Sequence, residues 1–148
     1  MKKIMIMIVL IPFLFSACAS VGASKSGKSG TLIFPEATMK SVDWTAEDLK
    51  QPVAIKNLRT TTQASYMIVR LNESETPHVH ENHDLVVVMW KGKGTLFISD
   101  SKHELKPGDI VEIPRGVRHW VEKPEKGICE AYVISVPPYD PKDMKIVE

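Results

Sequence analysis

The stretch that decides the fold is residues 77–92, which read Pro-His-Val-His-Glu-Asn-His-Asp-Leu-Val-Val-Val-Met-Trp-Lys-Gly. Two histidines stand two positions apart near its start, and an apolar run typical of a strand follows. Because alternate side chains of a strand share one face, His78 and His80 project the same way, about 7 Å apart. Two imidazoles so placed can converge on one metal ion, at N–metal distances of roughly 2.1 Å.

A second stretch, residues 108–119, supplies one more histidine. It reads Gly-Asp-Ile-Val-Glu-Ile-Pro-Arg-Gly-Val-Arg-His, so His119 comes just after a Pro-x-Gly turn formed by Pro114 and Gly116. Pro and Gly in this arrangement indicate a tight turn that leads into a strand. The sequence therefore predicts that His119 joins the histidine pair from a neighbouring strand.

The first stretch resembles the first signature motif of the cupin superfamily: Gly, five residues, His-x-His, three or four residues, Glu, six residues and Gly. His78, His80 and Gly92 match this motif. Asn72 stands where the first Gly would be, and Asn tolerates a left-handed backbone better than most residues. The place of the glutamate, counted back from Gly92, falls on Leu85.

The second stretch resembles the second cupin motif: Gly, five residues, Pro-x-Gly, two residues, His, three residues and Asn. Gly108, Pro114, Gly116 and His119 match, and Lys123 replaces the final Asn. Two motifs in the right order and spacing indicate a fold rather than a reaction, since one fold hosts many functions.

The resemblance implies an all-β, single-domain cupin, a double-stranded β-helix or jelly-roll-like barrel. It covers residues 54–138, within a barrel domain expected at residues 31–148. The core motifs of this domain occupy residues 72–92 and 108–123.

By the same resemblance, His78, His80 and His119 bind one divalent transition metal, which is Fe, Zn, Mn, Ni or Cu. Three neutral imidazoles that leave a position open are typical of a catalytic site rather than a closed structural one. Some cupin dioxygenases use three histidines alone. Without a carboxylate ligand the metal keeps its double positive charge, which favours a small anionic or chelating molecule.

Three classes of function stay open at this point. The first is a metal-dependent enzyme that acts on a small molecule, such as a dioxygenase or an isomerase. The second is a non-catalytic module of the cell envelope that binds a small ligand or a metal, with or without an ion of its own. The third is a structural role through an apolar face of the sheet.

Strand patterns bounded by turn residues predict seven strands in the barrel. They lie near residues 54–58, 64–71, 84–90, 94–99, 109–113, 118–122 and 128–136. Hairpin turns are expected at residues 91–94 and 99–102, where Gly, Lys, Ser and Asp cluster.

The strand after the histidine pair is apolar on both faces. With Leu85 facing inwards, a period of two places Val87 and Met89 beside it, so these three residues are expected to line the pocket. Residues 86, 88 and 90 face the other way and need a cover. That cover is expected to be a second copy in a homodimer or the segment at residues 32–44.

Further polar residues are candidates for the site. His83 is either a fourth ligand or a plain loop residue, and Asp84 can replace the missing glutamate only if a bulge shifts the strand by one residue. His103, in a hairpin, is expected to be solvated. Glu130 and Tyr132 share one face of the last strand, where they either line a pocket or, as is more common, face solvent.

The start of the chain has the pattern of a secretory signal peptide over residues 1–17, with an apolar run too short for a membrane span of about 20 residues. Residues 15–18, Phe-Ser-Ala-Cys, resemble a bacterial lipobox. This resemblance implies that Cys18 carries lipid. The Ser, Gly, Ala and Lys composition of the residues that follow predicts a flexible tether over residues 18–30. It further implies export across the inner membrane and a lipid anchor in the cell envelope. Because no Asp follows Cys18, a Gram-negative cell would hold the protein on the periplasmic side of its outer membrane.

Net charge limits the expected binding partners, and the cysteine content limits the expected disulfides. Removal of residues 1–17 takes away two of the 19 basic residues and leaves 17 against 18 acidic ones, a formal charge of −1. This balance gives no indication of a nucleic-acid partner, and membrane contact is expected only through the lipid anchor. With Cys18 lipidated, Cys129 is the only other cysteine, so no internal disulfide can form.

Overall fold

The computed structural model describes residues 30–35 and 37–148. The predicted signal peptide, Cys18 and nearly all of the tether lie outside these residues. The described residues form twelve strands and one short 3-10 helix at Asp48–Lys50. The strands are β1 (Leu32–Ile33), β2 (Thr38–Met39), β3 (Val53–Thr60), β4 (Ser65–Leu71), β5 (His78–His80), β6 (Asp84–Gly92), β7 (Gly94–Ile98), β8 (Ser101–Leu105), β9 (Ile110–Ile113), β10 (His119–Glu122), β11 (Cys129–Val136) and β12 (Met144–Ile146).

Two five-stranded sheets make up the body of the protein. One has the order β12-β5-β10-β7-β8 and the other the order β3-β4-β11-β6-β9, while β1 and β2 pair separately. Neighbouring strands pair antiparallel in both sheets. The predicted all-β barrel is therefore confirmed.

All seven strands predicted from turn and alternation patterns are present. The patterns missed β1, β2 and β12, as well as β8, which begins inside the predicted turn at residues 99–102. β5 was expected only from the His-x-His pair. Four of the five residues of β8 are exposed, so this strand shows no apolar alternation that a sequence pattern could detect. It forms because it pairs with β7 along its full length.

The core lies between the two sheets. Its apolar side chains form two packed clusters, one around Leu71, Met89 and Leu96 and the other around Met67 and Val133. Burial of one such side chain contributes roughly 1.5–3 kcal/mol. The sheets leave a cavity of about 410 Å³ between them, and every strand from β3 to β12 contributes to its lining.

The Gly that closes the first motif has a steric cause. Gly92 has a φ of +81°, and a Cβ at this position would lie 1.7 Å from the carbonyl oxygen of Ile128. A left-handed backbone and a close approach of another strand both require Gly here.

Asn72 does not replace the motif's first Gly for the reason that the sequence suggested. Ser99 is the only non-Gly residue with positive φ in the described ranges, so Asn72 does not need left-handed tolerance. Its amide instead donates to the carbonyl oxygens of Asp48 and Gln51, at 3.1 and 2.8 Å. Asn72 thus ties the 3-10 helix to the end of β4.

The outer face of the β3-β4-β11-β6-β9 sheet is partly covered by the N-terminal segment. The indole of Trp90 donates to the carbonyl oxygen of Gly30 at 2.8 Å. Trp44 donates to Oε1 of Glu130 at 3.0 Å, and Arg70 pairs with the same oxygen at 2.8 Å. Cover by the chain itself accounts for part of the apolar face, and the homodimer stays a prediction.

Glu130 therefore differs from both sequence expectations. It neither lines the cavity nor faces solvent, since its side chain is 2% exposed and lies on the outer face under Trp44. Alternation along β11 gave its face correctly, but the cover comes from a segment that is distant in sequence. Tyr132, on the same face, is half-buried.

Candidate metal centre

Three histidines gather on the inner face of the β12-β5-β10-β7-β8 sheet. His78 and His80 lie on β5, and antiparallel pairing sets His119 of β10 directly opposite His78. Ring centroids are 5.1 Å apart for the first pair, 4.3 Å for His78 and His119, and 5.4 Å for His80 and His119. Each can offer a ring nitrogen such that all three lie within 4.8 Å of one another. The predicted cluster is therefore present, and all three residues line the cavity.

Backbone carbonyls fix the orientation of two of these rings. Nδ1 of His78 lies 2.8 Å from the carbonyl oxygen of Thr76, and Nδ1 of His119 lies 2.9 Å from that of Val117. Because a carbonyl can only accept, Nδ1 of each ring carries the proton and Nε2 keeps its lone pair. Histidines that ligate metals usually donate their other ring N–H to a carbonyl or carboxylate in this way. Nδ1 of His80 is buried without a partner among the described residues.

Burial favours the neutral form of His80 and His119. The three side chains are only 4%, 8% and 3% exposed. Burial, followed by the neighbouring histidines, lowers the pKa of His80 to about 4. Burial likewise lowers the pKa of His119 to about 4, against the opposing effect of its bond to Val117. Neutral imidazole is the form that binds a metal, so these two histidines are ready to bind at neutral pH.

The pocket side of β6 has the predicted composition. Leu85, Val87 and Met89 all line the cavity. Leu85 occupies the motif's glutamate place and lines the same cavity as the histidines, so no carboxylate comes from this position.

Asp84 does not replace the missing glutamate. It lies on the surface, where Arg115 binds it through backbone and side-chain N–H groups at 2.9 and 3.1 Å. The bulge that would turn Asp84 inwards is absent, because β6 pairs with β9 in regular register from Leu85 onwards. The bulge in β11 lies between Glu130 and Ala131, near the other end of β6.

His83 is buried, and it belongs to a different group of side chains. Its Nε2 lies 2.9 Å from the carbonyl oxygen of Pro138 and 3.2 Å from the backbone nitrogen of Asp140. Its ring centroid is 6.1 Å from that of His80. His103, by contrast, is exposed on β8.

A carboxyl group that the sequence did not suggest lies in the same cavity. Glu75, between β4 and β5, is the only acidic residue that lines the cavity among the residues described. Its backbone N–H donates to the carbonyl of Val121 at 3.0 Å, and its Oε2 accepts from the N–H of Val121 at 2.8 Å. Burial raises the pKa of Glu75, and the nearby His78 offsets this only in part.

The position of Glu75 follows from pairing with a distant strand. Val121 is two residues past His119 on β10, so the same strand orients a histidine and holds the carboxyl group. The only sequence signal was the distance of three residues between Glu75 and His78, which by itself indicates nothing. Cys129 also lines the cavity, and burial raises the pKa of its thiol to about 12, which leaves it unreactive.

The donor set fits a transition metal. Imidazole suits Zn, Fe, Cu and Ni, and three such ligands on one side of a cavity leave room for a further ligand. The cluster could therefore hold a metal ion at one wall of an otherwise apolar cavity.

The sequence of the barrel places the chain in a known family. Residues 65–135 match the family described as Cupin domain. An uncharacterised protein of Aquifex aeolicus is 35% identical over 98 residues, which span 66% of this chain and 80% of that protein. The chain belongs to the cupin family, as its two motifs indicated.

Solved structures agree with this fold. KdgF from Halomonas sp. is 24% identical, with a TM-score of 0.57 over 67% of this chain and 91% of KdgF. A Streptomyces PAC13 variant solved with uridine is 14% identical, with a TM-score of 0.57 over 74% of this chain and 93% of PAC13. PAC13 is a nucleoside dehydratase. At these identities the likeness establishes the cupin barrel and no shared activity.

Proposed function

We propose that this cupin is a metal-dependent enzyme that acts on a small anionic molecule inside the barrel. The observation that carries the proposal is the joint presence of three buried histidines and one carboxyl group in a single cavity. His78, His80 and His119 hold a divalent transition metal, and Glu75 exchanges a proton with the bound molecule. The cavity volume of about 410 Å³ suits a small molecule.

In this proposal the metal ion, the three histidines and the apolar lining have different roles. A bound metal would supply Lewis-acid polarisation of an oxygen of the ligand. The three neutral imidazoles leave the positive charge of the ion uncompensated, which favours a carboxylate or an enolate. The apolar lining excludes water and strengthens each electrostatic contact within it.

Glu75 favours proton transfer over oxygen insertion as the reaction class. Burial raises the pKa of Glu75, which favours the protonated form that can donate a proton to a bound molecule. Oε2 is held by Val121, and Oε1 has no hydrogen-bond partner among the described residues, so it is available to a ligand. An isomerase that moves a proton next to a carbonyl group matches these features.

Metal content tests the first half of the proposal. The full chain is loaded with Zn²⁺, freed of excess ion and assayed by mass spectrometry of the metal. Replacement of His78 or His119 by Ala should remove one ion per chain and weaken binding by about 100-fold, at least as much as the loss of a group that supports a ligand. The exposed His103→Ala variant is the control and should keep the content of the wild type. Full metal content in both cavity variants would contradict the proposal.

Proton exchange tests the second half. Metal-loaded protein in D₂O is incubated with a panel of small 2-oxo acids, and NMR follows deuterium uptake at the carbon next to the carbonyl. Uptake should require both His119 and Glu75, so that His119→Ala and Glu75→Gln each abolish it. Uptake that survives Glu75→Gln would assign the proton transfer to another group.

A non-catalytic binding module is the second candidate. The observation in its favour is that aliphatic side chains dominate the cavity lining, with Glu75 as its single acid. This candidate would take the place of the enzyme if the protein retains small carboxylic acids in equilibrium dialysis but exchanges no proton with any of them.

We also propose that the protein is a lipoprotein, although its predicted signal peptide and Cys18 lie outside the described residues. No helix within residues 30–35 and 37–148 is long and apolar enough to cross a membrane. Labelled palmitate should enter the full chain and not the Cys18→Ser variant. Removal of residues 1–17 together with Cys18→Ser should give a folded protein in the soluble fraction, because the apolar run is not expected to belong to the barrel.

A further inference from the structure

A second group of potential ligands lies behind the histidine cluster. His80, His83 and Asp143 are all buried and can each offer a ligand atom within 4.8 Å of the other two. They come from β5, from the turn before β6 and from the residue before β12. Pairing of β12 with β5 sets Met144 opposite His80, which explains why Asp143 lies beside that histidine.

Asp143 has a buried carboxylate that pairs with no Lys or Arg side chain of the described residues. Its carboxylate accepts from the backbone N–H of Asn82 at 2.9 and 3.1 Å, and from the Asn82 amide. Such bonds favour the ionised form of a carboxyl group. Among the described residues, no Lys or Arg lies within 4.0 Å of it. A buried charge is costly unless a cation compensates it.

Two ring nitrogens of this group are buried without hydrogen bonds to the described residues. Nδ1 of His83 lies 2.8 Å from Oδ2 of Asp143, yet not in hydrogen-bonding alignment. Its Nε2 contacts the backbone of residues 138–140, so Nδ1 is the ring nitrogen that remains available to a ligand. Nδ1 of His80 is the second unpartnered nitrogen in the described part of the chain.

We propose that Nδ1 of His80, Nδ1 of His83 and the carboxylate of Asp143 bind a second divalent transition-metal ion. This site rests on the proposed function only in that His80 uses its other nitrogen, Nε2, in the first site. When both sites are filled, the His80 ring lies between the two ions as an imidazolate. Its remaining ring proton passes to solvent as the second ion enters.

The geometry needs only a small opening to admit this ion. Bonds of about 2.0–2.1 Å in tetrahedral geometry set neighbouring ligand atoms roughly 3.3 Å apart. The Nδ1 atom of His83 and Oδ2 of Asp143, now 2.8 Å apart, must therefore separate by roughly half an ångström. Asp143 lies on the segment that leads into β12, whereas His80 is held within its sheet. We therefore expect Asp143 and the C-terminal segment to move.

The test is metal stoichiometry of the full chain with Zn²⁺ alone. The wild type should hold two ions, and Asp143→Asn and His83→Ala should each hold one. Asp140→Asn is the matched control, since Asp140 is exposed and lies three residues before Asp143, and it should hold two. One ion in the wild type, with the same content in Asp143→Asn, would overturn the second site.

The same measurements separate failure of this inference from failure of the proposed function. One ion that is lost in His119→Ala and kept in Asp143→Asn leaves the cavity site standing and removes the second. One ion that is lost in Asp143→Asn and kept in His119→Ala does the reverse. If the wild type binds no ion, both proposed metal sites are excluded.

A measurement without mutation guards against misfolded variants. Cu²⁺ is added to the wild type in two equivalents, and electron paramagnetic resonance is recorded after each. The first equivalent should give the signal of an isolated ion, and the second should reduce the total signal, because an imidazolate couples the two spins. Two equivalents that simply double the signal would exclude the His80 bridge and overturn the shared site.

Discussion

The inner and outer faces of the barrel each carry one glutamate, half-buried on the inner face and fully buried on the outer face, and the two residues are held in opposite ways. On the outer face, Glu130 is paired with Arg70 and capped by the indole of Trp44. On the inner face, Glu75 lines the cavity, and the backbone N–H of Val121 is its only donor among the residues that the structure describes. Both residues are at least partly withdrawn from solvent, and the main difference is whether another side chain neutralises the charge.

This difference separates a structural role from a chemical one. The charge of Glu130 is neutralised by Arg70, and its Oε1 accepts from both Arg70 and Trp44, so this carboxylate contributes to stability. An unpaired carboxyl group beside a ligand cluster costs stability in its charged form, and it stays available to a bound molecule. Mutations on the two faces should therefore affect different properties.

The largest expected effect concerns the inner face at acidic pH. For His80 and His119, the pKa is about 4 in the folded protein against about 6.5 when unfolded. The unfolded chain thus binds more protons between these values, and the free energy of unfolding falls as pH drops. The slope should reach up to about 1.4 kcal/mol per pH unit for each histidine, and several kcal/mol in total. Urea unfolding of the metal-free protein between pH 7 and 4.5 measures it, and His119→Ala should flatten the slope markedly. An equally steep slope in that variant would assign the effect to other groups.

A smaller effect is expected from the outer glutamate. Glu130→Gln keeps the shape of the side chain and removes its charge, which leaves Arg70 without its ion pair. The free energy of unfolding should fall by about 2 kcal/mol, the range for hydrogen bonds to charged groups. Thermal or urea unfolding checks this value. Metal content should not change, and a loss of metal would show that the two faces are coupled.

A new carboxylate at the motif's glutamate place should strengthen metal binding. Leu85 lines the cavity with the histidines, so Leu85→Glu should raise affinity for Zn²⁺ by about tenfold, or roughly 1.4 kcal/mol. The metal-free variant should be less stable, because the new charge is buried. Competition titration measures the affinity, with Val87→Glu further along the same strand as the control. Equal gains in both variants would indicate a general charge effect rather than a new ligand.

The smallest effect is expected from the inner glutamate. Glu75→Gln should change the free energy of unfolding at pH 7 by less than about 1 kcal/mol, and in the stabilising direction, because it removes a charge that burial disfavours. The same substitution at the two glutamates thus gives opposite signs. A loss of 2 kcal/mol or more at Glu75 would show that its carboxylate, like that of Glu130, is mainly structural.

Much of the fold was predictable because it is encoded locally. Turn residues between apolar runs located seven strands, and the Pro-x-Gly turn located His119. β8 could not be found, since its four exposed residues carry no alternation and its only cause is its partner β7. The predicted role of Asn72 was wrong, because its side-chain hydrogen bonds to the 3-10 helix region, and not its backbone conformation, account for Asn at this position.

Only those site residues that belong to the two motifs could be predicted from the sequence. The spacing within β5 and the turn before β10 sufficed for the histidine cluster. Glu75 and Asp143 depend on contacts with Val121 and Asn82, which lie 46 and 61 positions away in the chain. No local pattern carries such information.

The pairing of β12 with β5 affects how this protein can be handled in the laboratory. Met144, Lys145 and Ile146 lie in register with the three residues of the His-x-His strand, and Met144 and Ile146 form part of the cavity wall. An affinity tag fused after Glu148 would begin two residues beyond this wall. A polyhistidine tag there would compete for the very ions under study, so purification handles should be placed before the barrel and removed by protease before any metal is counted.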